Sequence, residues 1–481
     1  MKSALRQFWV VLGAFLNIVA CGFHLGYPTI LLRDLRKPGS DIPLSLEAES
    51  WITSAIAITT LPSFILTAPI LQKLGRRSAH FCVATPSIIS CLLLYFAQDV
   101  TALVIARLTS GFNTGATIVI AGIIVGEYSS PHYRGVFLNT KTAGATFGVL
   151  YVHLIGTFFD WRATALFGLI PSALALLITW TWPESPSWLA YKGRYKECED
   201  SFTWLRGNSD EAKEELLFLI QSQRNRRLYE IKNNSMMKKA KLLLTKLGQK
   251  DFQKPTWIVL FVFVILEACG RHSFPAYAVK FMSAFTKDNA TTLYYVLAVD
   301  GIIFLASVGS CGVVKLFRRR TLLFVSGGVS CVLLTSICIY LYLKSQHIAP
   351  ENNVWLPLSL LCSYFIVLNL GTSSIALSLL GEIYPLEHRG LGTVISGVFY
   401  SLSLLVTLKV TPALMRAIDV HGTFFVYMIF MAGALFYLYF FLPETEGKTL
   451  QEIEHHFNGV SLKLEQDKED KLLDCTLASE R

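Results

Sequence analysis

GEYSSPHYRG fills residues 126–135, and GEIYPLEHRG fills residues 381–390. Each copy opens on Gly-Glu, holds a proline in its middle and closes on Arg-Gly. An apolar run leads into each stretch and another leads out, so both read as polar corners between long hydrophobic helices. A corner written twice at matching places points to a duplicated membrane unit.

The composition agrees. Of 481 residues, 53% are hydrophobic and 16% charged, with a mean hydropathy of +0.47; soluble domains are more polar. Nearly uncharged windows of about 20 residues, enough to cross a hydrocarbon layer of roughly 30 Å as helix, recur along the chain. Twelve spans are expected, at 8–32, 51–71, 78–97, 101–126, 139–159, 163–182, 256–281, 291–314, 321–343, 354–381, 391–415 and 422–442. Lys2 and Arg6 precede the first span as in a secretory leader, but its apolar length predicts a retained helix.

Lysine and arginine in the connections set the orientation. With a cytoplasmic N-terminus, the inside connections hold Lys73, Arg76 and Arg77, then Arg134, then 15 basic residues in 183–254, then Lys315 and Arg318 to Arg320. Outside, Arg33, Arg36 and Lys37 form the one cluster. The net charge of +9 is thus a topology signal rather than the footprint of a nucleic-acid binder. Eight of the ten cysteines fall in predicted spans, while Cys198 and Cys475 fall in cytoplasmic segments, so no disulfide framework is implied. Asn289 begins a sequon in an outside loop and is the expected glycan site; the sequon at Asn233 lies inside.

The polar stretch 183–254 divides the spans six and six. Three signposts recur in register: Gly75-Arg76-Arg77 with Arg318-Arg319-Arg320 after each second span, the two corners after each fourth, and Pro183-Glu184-Ser185 with Pro443-Glu444-Thr445 after each sixth. The expected units are a six-helix bundle at 1–182, a cytoplasmic helical linker at 183–254, a second bundle at 255–442 and a cytoplasmic tail at 443–481.

Glu127 and Glu382 sit at helix C-termini, and Arg134 and Arg389 at N-termini, each opposed to its helix dipole by roughly 0.3 to 1 kcal/mol. Compensating ion pairs are expected, with one another, with the arginine clusters or across the halves. A network on that face which forms on closing and breaks on opening would act as a gate. Ionisable residues inside spans mark cavities or partners: His24, Lys141, His153, Glu267, Arg271, His272 and Asp300. Glu267 and Arg271, four apart, suit an intrahelical ion pair. With His272 they also place three polar heads beside Gly270 and ahead of Pro275, where span seven is expected to bend. Transporters built from repeats hold solute at such interrupted helices. Gly111 and Gly115 form a small-xxx-small pair for close helix packing.

These motifs together resemble the sugar porters of the major facilitator superfamily, and among them the insect trehalose and hexose facilitators. Gly75-Arg76-Arg77 is similar to the family's GRR, and Arg107 with Gly111 and Gly115 to its RxxxG pattern. Glu127 with Arg134-Gly135 and Glu382 with Arg389-Gly390 resemble its two E and RG signatures. Pro183 to Leu189 resembles PESPRWL, Pro443 to Leu450 PETKGxxL, and Trp204 to Gly207 WLRG. The resemblance implies an all-α polytopic membrane protein, with twelve transmembrane helices in two pseudo-symmetric six-helix bundles, working by alternating access.

The departures fall where sugar would sit. The family's QQxSGxN becomes Leu266 to His272, with only Gly270 kept. Its span-five glutamine is Thr142, its span-ten Pro and Trp positions are Ser374, Ala376 and Leu377, and its span-eleven asparagine is Tyr400. Gln72 and Lys315 replace motif acids. Amides and aromatic faces suit sugar hydroxyls and rings, and both are depleted here.

The reading is a multi-pass plasma-membrane transporter of a sugar or polyol, with both termini cytoplasmic. It works by facilitated diffusion, since His24 stands where a coupling carboxylate would. Proton symport through His24, carriage of another solute, and a non-transporting sensor remain as alternatives. Thr142, Glu267, His272, Tyr277 and Tyr400 are the candidate solute ligands. Arg76, Arg77, Glu127, Arg134, Glu184, Arg319, Arg320, Glu382 and Arg389 are the candidate gate. Partners are a small solute and the lipid bilayer; no enzyme chemistry, cofactor, metal or nucleic acid is expected.

Overall fold

The computed structural model describes residues 2–232, 250–286, 289–314, 316–348, 354–384 and 389–444. In chain order the helices are α1 (Lys2–Leu35), α2 (Leu46–Leu74), α3 (Arg76–Phe96), α4 (Val100–Tyr128), α5 (Pro131–Phe158), α6 (Trp161–Phe167) and α7 (Leu169–Thr181). The connection carries α8 (Pro186–Lys192), α9 (Tyr195–Arg206) and α10 (Asp210–Lys232). Then come α11 (Lys250–Ala268), α12 (Ser273–Met282), α13 (Asn289–Val313), α14 (Arg319–Ser345) and α15 (Trp355–Val367). A π-helical turn (Leu368–Thr372), α16 (Ser373–Glu382), α17 (Arg389–Ala417) and α18 (Asp419–Phe441) complete the described chain.

All twelve expected spans are helical, and among the described residues eleven helices are long and apolar enough to cross a membrane. Local chemistry sets their starts. The Ser45 side chain accepts from the Ala48 N–H ahead of α2, and Asp99 accepts from the Ala102 N–H at 2.7 Å ahead of α4, satisfying donors that a helix leaves open. Three spans are broken. Span six divides at Gly168 into α6 and α7, span seven divides into α11 and α12, and span ten carries the π turn. Rows of large apolar side chains face outward, Trp180 at 72% exposed and Phe436 at 68% among them, which lipid rather than water would cover.

In the first bundle, Gly111 and Gly115 of α4 meet α2, where added Cβ atoms would strike the Ile56 carbonyl and the Ser63 hydroxyl. Gly22 of α1 and Gly148 of α5 meet in the same way. Buried amides bridge helices: Asn113 Nδ2 donates to Asn17 Oδ1 at 3.0 Å and to the Val83 carbonyl at 2.9 Å.

The halves meet chiefly along three helix pairs, α1 with α12, α2 with α17, and α5 with α13. At the face away from α8–α10, the far face, the Thr29 hydroxyl donates to the Pro275 carbonyl at 2.8 Å and accepts from the Ala278 N–H at 2.9 Å. Glu49 binds Arg36 at 2.6 Å and reaches Lys280 across the interface at 3.7 Å. The far face is closed by these bonds.

Candidate functional site

Functional side chains gather in two places, the face bearing α8–α10 (the linker face) and the break in span seven. At the linker face, Arg76 holds Glu127 through two bonds, Nε to Oε2 at 2.7 Å and Nη2 to Oε1 at 2.6 Å. Ser185 also donates to Glu127 at 2.5 Å. The acid that opposes the α4 dipole is thus compensated from α3. Glu184 Oε1 accepts from the Arg76 N–H at 2.7 Å and the Arg77 N–H at 3.2 Å, so a carboxylate caps α3, where the dipole favours it.

The second half repeats this device. The Arg320 N–H donates to Glu444 Oε2 at 3.2 Å as Arg77 does to Glu184, and each guanidinium donates at 2.6 Å to a carbonyl of the closing helix, Trp180 for Arg77 and Tyr439 for Arg320. The first and third signposts of the sequence therefore touch. Every one of these bonds lies within one half. The side chains of Arg134, Glu382, Arg389 and Asn289 lie outside the described residues, as do Asn233, Lys315, Cys475 and the tail from 445 onward. In the linker Cys198 donates to the Pro186 carbonyl at 3.2 Å, and burial pushes its thiol up to about 11.

At the other place, α11 ends at Ala268 and the chain turns through Gly270 at φ +78°, a conformation that favours glycine. The expected Glu267–Arg271 pair does not form. The unwound turn breaks the i, i+4 geometry such a pair needs; Glu267 Oε1 instead takes His272 Nδ1 at 2.8 Å, and Arg271 donates to the Ser373 hydroxyl at 2.8 Å. The Tyr400 hydroxyl stands 3.5 Å from His272 Nε2, and its ring packs on Phe64 of the first half. Beside the break lies a cavity whose empty space, counting its open mouth, is about 600 Å³. Thr146 and Val149 line it from α5, and Arg271, His272, Asp300, Asn369 and Ser373 from the second half.

Of the residues singled out as solute ligands, only His272 lines this cavity. Glu267 braces His272 from behind. Thr142 lies one turn from the wall, its carbonyl accepting from Thr146, which occupies the wall instead. Tyr277 lies outside the cavity wall, donating to the Leu408 carbonyl at 2.8 Å. His24 faces the first-half interior, with Nε2 2.8 Å from the Ser87 hydroxyl. Asn369 and Ser373 were missed, although Asn369 and Gly371 to Ser374 interrupt an apolar span, a visible polar run. Asp300 and His153 were noted singly but not as partners: His153 Nδ1 meets Asp300 Oδ2 at 2.5 Å across the halves.

The fold has known counterparts. A solved structure of the proton:xylose symporter XylE bound to 6-bromo-6-deoxy-D-glucose superimposes with a TM-score of 0.74 at 19% identity, covering 95% of this chain and 100% of that one. The facilitated trehalose transporter Tret1 of Aedes aegypti is 27% identical over 460 residues, 94% of this chain and 55% of the relative. Tret1 of Polypedilum vanderplanki is 26% identical over 459 residues, 94% and 88%. The chain thus spans about half the length of several curated relatives it matches. The profile of the family described as "Sugar (and other) transporter" matches residues 8–457. With twelve helical spans in two halves related by their corner motifs, the chain belongs to this sugar transporter family, on the major facilitator fold.

Proposed function

We propose that the protein carries a sugar or polyol across a membrane by rocking its two halves about the cavity at the span-seven break. The observation that carries this reading is the cavity itself: it lies between the halves, against an unwound helix, with hydroxyl, amide and imidazole groups on its wall. In this reading His272, held by Glu267, and Thr146, Asn369 and Ser373 are the solute ligands, and Thr142, Tyr277 and Tyr400 act behind them. The linker-face residues Arg76, Arg77, Glu127, Glu184 and Arg320, with Arg319, Arg134, Glu382 and Arg389, hold the helix ends that move. The bundles are residues 1–182 and 255–442, with 183–254 joining them and 443–481 as a tail. The location is the plasma membrane, and the cytoplasmic placing of both termini follows the lysine and arginine distribution.

Uptake of trehalose, hexoses, xylose and polyols by oocytes, compared with surface protein, tests the reading. At least one of these solutes enters faster than in control cells; none entering, with surface protein intact, refutes it. Arg271 favours a second reading. It lines the cavity and has no carboxylate partner among the described residues, which suits a polyhydroxy acid. If gluconate competes better than glucose, and Arg271→Gln abolishes that preference, the solute is an acid.

A further inference from the structure

Both ring nitrogens of His153 face oxygen. Nε2 lies 3.1 Å from the Gly26 carbonyl of α1, and Nδ1 lies 2.5 Å from Asp300 Oδ2 of α13. A carbonyl only accepts, so Nε2 carries a proton. At 2.5 Å the Nδ1 lone pair and a carboxylate cannot face each other bare, so a second proton sits between them, on either atom. The pair is fully buried, with side chains 0% and 1% exposed. It joins α5 of the first half to α13 of the second, and Asp300 also lines the cavity, where its Oδ1 has no hydrogen-bond partner among the described residues.

We propose that His153 and Asp300 form a proton-binding clasp between the halves, which takes up one proton when the far face closes and releases it when that face opens. Loss of the shared proton leaves a carboxylate against a lone pair in a buried interface, with no other donor to Oδ1 among the described residues, and separation lets water solvate both. The inference rests on the transport reading for its consequence, which is that solute movement is linked to a proton.

The helices packed against the clasp carry other ionisable groups. Its own helix α5 carries Lys141 and Tyr151, α1 brings His24, Arg33 and Asp34, and α4 brings Arg107. Arg162 lies on α6, and Arg271 and His272, with Glu267, lie at the span-seven break. Lys280 lies on α12, Tyr364 on α15. Arg33 is held by Asp34, Lys280 faces Glu49, and His272 is held by Glu267. His24 and His272 carry the same ionisable group, so the test must separate them from His153.

Spin labels placed through p-acetylphenylalanine at the exposed Phe158 of α5 and Tyr294 of α13 report that interface by pulsed electron resonance in the full-length protein. From pH 5 to pH 9 the short-distance population gives way to a longer one, by up to tenfold per pH unit, the slope of one linked proton. Asp300→Asn supplies an N–H to Nδ1 at every pH and holds the short distance throughout, while leaving His24 and His272 untouched. Distances in the unmodified protein that ignore pH, or a shift that persists in Asp300→Asn, overturn the proposal; the wild-type titration stands even if the variant misfolds. In proteoliposomes, trehalose counterflow tests transport alone and trapped pyranine reads proton movement. Counterflow with no sugar-evoked proton flux overturns the clasp and leaves transport standing. A pH-dependent distance with no counterflow of any panel sugar overturns the transport reading instead.

Discussion

The two halves begin from one repeated corner and build opposite interiors. In the first, helices close on backbone: an added Cβ at Gly22 would land on the Ala145 carbonyl, at Gly111 on the Ile56 carbonyl and at Gly148 on the Val19 carbonyl. In the second, Gly301, Gly312, Gly328 and Gly433 face open space, and the glycines that do have neighbours meet side chains such as Leu435, Ser326 and Tyr384. The second half also holds the span-seven break and the π turn of span ten, and it supplies most of the cavity wall. A tightly packed half thus faces a half whose helices are interrupted where solute would bind. In the first half the break at Gly168 packs against Phe23 and Cys91, and in the second the breaks line a cavity, a condition under which a membrane tolerates irregular backbone.

The largest expected effect breaks that contrast at its packing. Gly22→Val forces α1 away from α5 and costs at least about 3 kcal/mol, the severe end of overpacking. Gly301→Ala, set in open space, changes stability by no more than about 0.5 kcal/mol. Thermal denaturation of the detergent-purified variants, followed by size-exclusion chromatography, checks both. Equal losses at the two sites would remove the distinction between the halves.

How much of this was legible depended on periodicity and repetition. Spans, corners and the pairing of the signposts all follow from runs of residue type along the chain, and the structure places Arg77 on Trp180 and Arg320 on Tyr439 as matched pieces. The cavity was less legible because its wall depends on which side each residue faces after a helix has broken. Gly270 and Pro275 announced the break in span seven, but a continuous-helix reading paired Glu267 with Arg271 instead of His272. Thr146 rather than Thr142 reaches the wall, a one-turn difference that alignment to a motif does not resolve. His153 and Asp300 lie on different halves, and no local pattern links them.

A smaller effect sharpens the comparison at the linker face. Glu127→Ala leaves Arg76, only 15% exposed, without its carboxylate. Breaking a fully buried pair costs about 3 to 5 kcal/mol; with both partners partly open to solvent, about 2 kcal/mol is expected. Arg320→Ala removes an exposed guanidinium bonded to a carbonyl and costs about 1 kcal/mol or less. A double-mutant cycle of Arg76→Ala with Glu127→Ala should show strong coupling. Additive losses would mean that the Arg76–Glu127 pair contributes no more than the Arg320 bond to a carbonyl.

The smallest effect concerns which groups behind the cavity wall act on the solute. Glu267→Gln loses a charged bond to buried His272, so the imidazole is no longer held as it is now. The KM for the transported solute should rise about tenfold, the lower end of what a hydrogen bond to a charged group contributes. Tyr400→Phe removes only the hydroxyl at 3.5 Å from His272, the outer limit of a hydrogen bond. Its ring remains on Phe64 and Phe263, with centroids 6.0 and 5.9 Å away, so the packing between the halves survives. KM should then change by less than about twofold, equivalent to about 0.4 kcal/mol. A tenfold rise for Tyr400→Phe would show instead that the hydroxyl turns into the cavity and binds solute. The second half would then present a phenol where the family places an asparagine, and the ring contact with Phe64 would make solute binding report directly on the first half's position.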